Sequence, residues 1–237
     1  MLKILVVVAH PDDEILGMGG TMLKHVETRD NVKVIYLATG ITSRRGETHQ
    51  NVSNYQSDKK LGKTMKKQLD NLRNDATKAC KILGVDDLTF YDFPDNEMDS
   101  VPLLKIIKTI EKEIKNVKPS RIYTHYRNDL NIDHRLIFKA TLTACRPTNK
   151  QIPDIYSFEV PSSTEWNFPS NFSPNYFVNI DKELQKKLEA MEKYKNELRK
   201  FPHPRSIEGI KVTAKKWGTV CGKKGAEAFE VIRIIKD

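Results

Sequence analysis

Apolar positions along this chain fall into two alternating kinds of run. Short, continuous, strand-like stretches occur at Lys3–Ala9, Lys33–Ala38, Leu88–Tyr91 and Arg121–Thr124, with a later one near Ile155–Phe158. An unbroken β-branched run such as Ile4-Leu5-Val6-Val7-Val8 has no polar face, so it predicts a strand buried on both sides. Between these lie longer stretches with apolar residues at helical spacing: Glu14–Glu27, roughly Gly62–Leu83, Val101–Asn116 and Ile132–Cys145. Gly84 stands where the second helix needs a C-terminal cap. Strand and helix in alternation predict an α/β fold, a mostly parallel sheet with helices on both faces. Right-handed crossovers bring the carboxyl ends of the first and fourth strands to one rim. That rim is where such sheets bind ligands.

Other stretches break the alternation. Arg44 to Asp58 is polar, contains Gly46 and reads as a loop over the same rim. Pro147 to Asn179 is rich in Pro, Ser, Asn and aromatic residues and reads as a segment wrapping the body. Leu184, Leu188, Met191 and Tyr194 give a helical pattern, and Ala226–Ile235 reads as a final strand. The expectation is a single domain, with a core over about 1–145 and a C-terminal wrapping segment with helices over about 146–237.

Composition narrows the function. The 237 residues suffice for one sizeable core. No stretch approaches the roughly 18–20 apolar residues of a membrane span. Leu2–Ala9 runs at once into His10, Asp12, Asp13 and Glu14 rather than a small-residue cleavage site, which argues against a secretory leader. Cys80, Cys145 and Cys221 lack metal-like spacing and fit the reduced thiols of a cytoplasmic protein. The net charge of +9 comes largely from lysines on predicted helices, as in Lys59–Lys67 and Lys182–Lys200. No basic patch interleaves with aromatics, so no nucleic-acid partner is expected. Solvated helix faces account for the charge, and an anionic substrate stays open. A homo-oligomer also stays open.

The chemistry concentrates at two strand ends. Ala9-His10-Pro11-Asp12-Asp13-Glu14 follows the first strand, and Asn131-Ile132-Asp133-His134-Arg135 follows the fourth. A catalytic zinc takes three protein ligands and keeps a position for water, whose pKa it lowers to roughly 7. His10, Asp13 and His134 supply the three. Asp12 is then the general base, and Asp133 supports a ring nitrogen or the surrounding hydrogen bonds. Helix capping accounts for one or two of the acids, but not for His10-Pro11 or for the distant Asp133-His134. A His/Asp/His set also admits iron, cobalt or manganese. Gly17-Met18-Gly19-Gly20 follows the acids instead of opening the helix, and those acids would repel a pyrophosphate. These glycines are read as close packing of the first helix on the sheet.

The six-residue motif, with the later Asp133-His134, resembles the PIG-L/LmbE-like N-acetylglucosamine deacetylases. Thr39-Gly40, Phe93-Pro94-Asp95-Asn96, Pro202-His203-Pro204-Arg205-Ser206 and Ala226-Glu227-Ala228-Phe229 support the resemblance along nearly the whole chain. It implies a Rossmann-like fold that uses zinc (Zn2+), not a dinucleotide, to hydrolyse an N-acetyl group from an amino sugar. It implies His10, Asp13 and His134 as metal ligands, Asp12 as base and Asp133 as an orienting carboxylate. The family's sugar-binding arginine corresponds to Arg44 or Arg45, with Arg45 preferred, and Asp95 and Asn96 are candidates for sugar hydroxyls. One position departs: where many members carry a histidine three residues before the last ligand, this chain has Asn131. An asparagine amide can stabilise an oxyanion but cannot protonate a leaving amine. Asp12 would shuttle that proton, or His125 or His203 would reach in. The expected activity is removal of acetate from an N-acetylated sugar or sugar conjugate. A thiol-conjugate amidase of the same family and a non-catalytic, metal-retaining sugar-binding protein are the alternatives.

Overall fold

The computed structural model describes residues 1–41, 63–147, 153–169 and 172–235. Within them, seven strands form one sheet: β1 (Lys3–Val8), β2 (Asn31–Ala38), β3 (Asp87–Phe93), β4 (Arg121–His125), β5 (Asp154–Phe158), β6 (Tyr176–Asn179) and β7 (Ala226–Arg233). The helices are α1 (Asp13–Glu27), α2 (Lys63–Ile82), α3 (Leu103–Val117), α4 (Ile132–Ala144), α5 (Leu184–Met191) and α6 (Ile207–Cys221). The spatial order is β3-β2-β1-β4-β5-β7-β6. The first five strands in that order are parallel, and β7 and then β6 add antiparallel. The chain thus turns from β1 to β2 on one side and reaches β4 on the other. This places the switch in strand order at the carboxyl end of β1.

The continuous apolar run of β1 is explained by its two buried faces. Ile4, Val6 and Val8 join one core cluster with residues of α1, α2, α5 and α6. Leu5, Val7 and Ala9 join a second with Ile106, Ile107 and Ile110 of α3 and Ile137 and Ala140 of α4. Helices therefore cover both sides of the sheet, as the alternation predicts. Among the described residues no helix is long and apolar enough to cross a membrane.

In the C-terminal third, the strands expected near Ile155–Phe158 and over Ala226–Ile235 are β5 and β7, and β6, inside the segment read as wrapping the body, joins them in the same sheet as β1. β6 has four half-buried residues, too short to give a readable alternation. In α6, the exposed Val212 and Val220 blur the stripe made by Ile210, Ala214 and Trp217.

The glycines of α1 serve close packing. A Cβ on Gly17 would stand 2.2 Å from the Phe158 ring on β5, and one on Gly20 would stand 2.7 Å from Ile180. The helix also kinks at Met18 (φ −150°, ψ 22°). Two buried side chains satisfy the backbone groups around the kink. Lys187 Nζ donates to the Leu16 carbonyl at 2.9 Å and to Glu227 Oε1 at 2.6 Å. Glu227 accepts the backbone N–H groups of Gly20 (2.9 Å) and Thr21 (2.6 Å). A charged pair is costly to bury unless its remaining lone pairs and protons are used; here they are used on the helix.

Candidate metal and active site

The rim above β1 and β4 gathers residues from well-separated parts of the chain. Ala9 to Asp12 form the turn between β1 and α1. Asp12 adopts φ 116°, ψ −28°, a left-handed position that L-residues take only when held there. The acids of this turn hold it, and none of them caps α1 in the usual way. Asp13 Oδ2 accepts the His10 N–H at 2.8 Å, and Glu14 Oε2 accepts the Asp12 N–H at 3.1 Å. Tyr194 fixes Glu14 in turn, donating to Oε1 at 2.5 Å. The Asp12 side chain is left for the cavity, where Arg205 Nη1 lies 3.3 Å from its Oδ2.

His10 Nδ1 and His134 Nε2 converge on Asp13 Oδ2, at 3.4 and 3.3 Å. One ligand atom from each of these three residues lies within 4.8 Å of the others. The opposite ring nitrogens face carboxylates. His10 Nε2 lies 3.1 Å from both Asp95 Oδ1 and Asp133 Oδ2, and His134 Nδ1 lies 3.1 Å from Asp129 Oδ1. Carboxylates behind the rings fix imidazole orientation and tautomer in metal sites. His134 Nε2 is buried and makes no hydrogen bond. A histidine pair, an anionic carboxylate and that orphaned nitrogen, all facing one point, fit a divalent metal. A second group, His10, Asp95 and Asp133, is equally close. It suits a metal less well, because both Asp133 oxygens accept backbone N–H groups, from Asn96 (2.6 Å) and Met98 (3.1 Å).

The electrostatics separate neighbouring acids. Burial opposes charge on every one of these groups. Asp13 nevertheless falls well below the usual carboxylate range, because His134, His125 and His10 face it. Asp12 is pushed well above that range by burial and by the charges of Asp13 and Glu197, against the pull of Arg205. At His134 the burial penalty is overcome by Asp13 and Asp129, which raise the ring to about 9. At His10 it is overcome by Asp13, Asp133 and Asp95, which hold the ring well above its usual value. These rings attract positive charge, and a cation between them meets the same demand.

A cavity of about 570 Å³ opens over the trio. It is lined by His10, Asp12, Asp13, Asp95, Asn96, Asn131 and His134, together with Trp166, Arg199 and Arg205. Asp95 is buried against His10, and its Oδ1 accepts from Asn96 Nδ2 at 2.8 Å. Asn131 is the N-cap of α4: its Oδ1 accepts the Asp133 N–H at 2.8 Å. Its Nδ2 donates to Asn96 Oδ1 at 2.8 Å.

The expectation that His125 reaches a substrate is corrected by its burial. It is wholly enclosed beneath His134, ring on ring at 3.9 Å, and its Nε2 accepts the Ala9 N–H at 2.8 Å. Burial and His134 hold its pKa well below the ordinary value. His203 does not line the cavity; it packs edge-on against Trp166. Arg44 and Arg45 lie outside the described residues. Asp129, Trp166, Glu197 and Arg205 are additions that the sequence reading did not assign. Asp129 stands two residues before Asn131, and Arg205 falls within the Pro202–Ser206 segment, so both had a readable position but no readable partner.

A model of the PIG-L family, described as GlcNAc-PI de-N-acetylase, matches residues 5–145, the span that carries His10, Asp13 and His134. The chain belongs to the PIG-L family. The uncharacterized deacetylase YaiS of Escherichia coli K12 is 28% identical over 201 residues, covering 81% of this chain and 90% of that protein. A probable N-acetyl-alpha-D-glucosaminyl L-malate deacetylase 2 of Bacillus cereus is 27% identical over 194 residues, covering 79% of this chain and 80% of that protein. Among solved structures, GalB, the 4-carboxy-2-hydroxymuconate hydratase of Pseudomonas putida KT2440, superposes with a TM-score of 0.74 at 21% identity. That match covers 100% of this chain and 99% of GalB. A hydratase with this architecture shows that the PIG-L fold alone does not name a reaction.

Proposed function

We propose that this PIG-L family member is a zinc-dependent N-deacetylase that hydrolyses the acetamido group of an N-acetylated amino sugar or its conjugate. The observation that carries the reading is the convergence of His10 Nδ1 and His134 Nε2 on Asp13 Oδ2 beneath an open cavity. The family match and the names of the deacetylase relatives support the bond to be cut. Zinc bound by His10, Asp13 and His134 supplies Lewis acidity, polarising a carbonyl and making water nucleophilic at neutral pH. Asp13, held anionic, is the charged ligand, and Asp129 and the Asp95/Asp133 pair keep the two imidazoles turned inward.

Asp12 is the base. Its surroundings favour the protonated form, so it can accept a proton from water and hold it. Of the other candidates among the described residues, His125 is enclosed, His203 is off the cavity and Asn131 carries no acidic proton. Asp12 therefore returns the same proton to the leaving nitrogen, and the products are acetate and the free amine. Asn131 Nδ2 has two N–H groups and spends one on Asn96. The other is a donor for the oxygen that gains charge. Arg205 keeps Asp12 aimed at the cavity. The free cysteines fit a cytoplasmic site of action.

The test is acetate release from N-acetylglucosamine and from N-acetylglucosaminyl malate, by protein that is as purified, chelated and zinc-restored. Activity should vanish with chelator, return with zinc and be absent in His134→Ala. Acetate release that survives full metal removal would overturn the proposal.

A further inference from the structure

Four polar side chains lie enclosed in the core behind the candidate site and have no role in the proposed hydrolysis. Glu14, Tyr36, Cys80 and Tyr194 come from α1, β2, α2 and the segment after α5, and each is wholly buried. They form one chain of contacts. The Tyr36 hydroxyl lies 3.3 Å from Cys80 Sγ, Cys80 Sγ lies 3.9 Å from Glu14 Oε1, and the Tyr194 hydroxyl donates to that same oxygen at 2.5 Å. Apolar residues of similar size would fill this space without the cost of burying polar groups. The network reaches the site through a backbone group, the Asp12 N–H, which Glu14 Oε2 accepts at 3.1 Å. The carbonyl of the same residue is held from the other side. It accepts the N–H groups of Ile15 (3.1 Å) and Leu16 (2.9 Å) in the first turn of α1.

We propose that Tyr194 is a positioning residue for the base, acting through Glu14 to hold Asp12 at its left-handed backbone angle. This role rests on Asp12 being the base of a deacetylase. An L-residue at φ 116° relaxes unless both of its peptide groups are fixed. Rotation about N–Cα carries Cβ, and the carboxylate beyond it, to a new position, and a misplacement of about 1 Å can cost on the order of 10²-fold in rate. The helix fixes the Asp12 carbonyl. The Asp12 N–H depends on Glu14, and Glu14 depends on Tyr194. A carboxylate side chain enclosed in the core keeps one orientation only where both of its oxygens meet donors. At Oε1 the tyrosine hydroxyl is the strong donor, because the sulfur contact is long. Neither Glu14 nor Tyr194 lines the cavity, so the hydroxyl acts on the base through the Asp12 backbone rather than through substrate.

Tyr194→Phe removes one oxygen and keeps the ring. With zinc loaded, this variant should hold metal at the parent's stoichiometry, keep the parent's KM for N-acetylglucosaminyl malate and lose about tenfold in kcat. Glu14→Ala should lose about 10²-fold in kcat. Glu14→Gln, whose amide oxygen still accepts an N–H, should recover most of that loss. Amide hydrogen exchange of chelated parent and Tyr194→Phe needs no turnover and reads the turn itself. Exchange at the Asp12 amide should accelerate about tenfold more than at the Val6 and Val7 amides of β1. Acceleration no greater at Asp12 than at Val6 and Val7 would overturn the proposal, and so would an unchanged kcat. A zinc stoichiometry that falls together with kcat would also overturn it, because the hydroxyl would then act on the metal ligands. A parent that releases no acetate counts against the deacetylase reading alone. The exchange comparison then decides whether Tyr194 holds the Asp12 turn, with the same two outcomes.

Discussion

Asp12 and Asp13 are neighbours in the chain with opposite electrostatic fates. Asp13 faces three histidines and stays anionic, while Asp12 sits among burial and like charge and favours its proton. Two carboxylates driven apart in this way suit the separate roles of ligand and base proposed for them. Substitution should expose the division. Asp13→Asn should purify without stoichiometric metal. Asp12→Asn should keep its metal and lose about 10²- to 10⁴-fold in kcat. Metal content by atomic absorption beside initial rates checks both, and an Asp12→Asn protein that loses metal along with activity would remove the distinction. At this scale the sequence was legible wherever the chemistry is local. His10, Asp12 and Asp13 share one turn, and Asp133-His134 opens one helix. Asp129 and Arg205 were not legible as partners, because their meaning comes from side chains that meet only after folding: Ser163, Thr164 and His134 for one, Asp12 for the other. Asn131 reads differently once its helix is seen. As N-cap of α4 it has a structural duty that asparagine performs well.

Elements position these residues as much as the residues themselves do. α1 begins at Asp13, the proposed metal ligand, and bends at Met18, and the bend is filled by Lys187 and Glu227. Removing one partner of a buried ion pair leaves an unpaired charge. Glu227→Ala also strips acceptors from the Gly20 and Thr21 N–H groups. It should cost about 3–5 kcal/mol of stability, read from the urea midpoint of chelated protein. A change under about 1 kcal/mol would mean that the bend holds without it. The four glycine-region residues announced close packing, and the 2.2 Å approach at Gly17 is that packing. The bend itself was invisible in the sequence, since the groups that satisfy it come from α5 and β7.

Across the whole molecule, the rim that binds and the rim opposite behave differently. Away from the metal site, His25 near the end of α1 joins Asp30 (2.8 Å) and the Tyr123 hydroxyl of β4 (3.0 Å). Burial lowers its pKa against the pull of Asp30. The unfolded chain therefore binds a proton on His25 at a higher pH than the folded one. Its contribution to stability is full above the ordinary value of 6.5 and is lost as pH falls through that value toward the folded pKa. In unfolding curves between pH 5 and 8, His25→Gln should lose less stability on acidification than the parent. Parallel pH profiles for the two proteins would refute this assignment. The parallel half of the sheet was legible from end to end, because β1 to β5 are each apolar enough to be read singly. The antiparallel half was legible only at β7, because β6 gains its apolar environment from a partner strand.

Strand order also carries a statement about time. β7 lies between β5 and β6 and supplies the carboxylate that settles the bend in α1. A ribosome adding about 5–20 residues per second makes it the last of the seven strands. A nascent chain that has already made His10, Asp13 and His134 thus has the proposed ligands but not the carboxylate that settles the bend in the helix carrying Asp13. Full metal-binding strength should arrive only after residue 227 has left the exit tunnel, so the centre matures after synthesis has passed it.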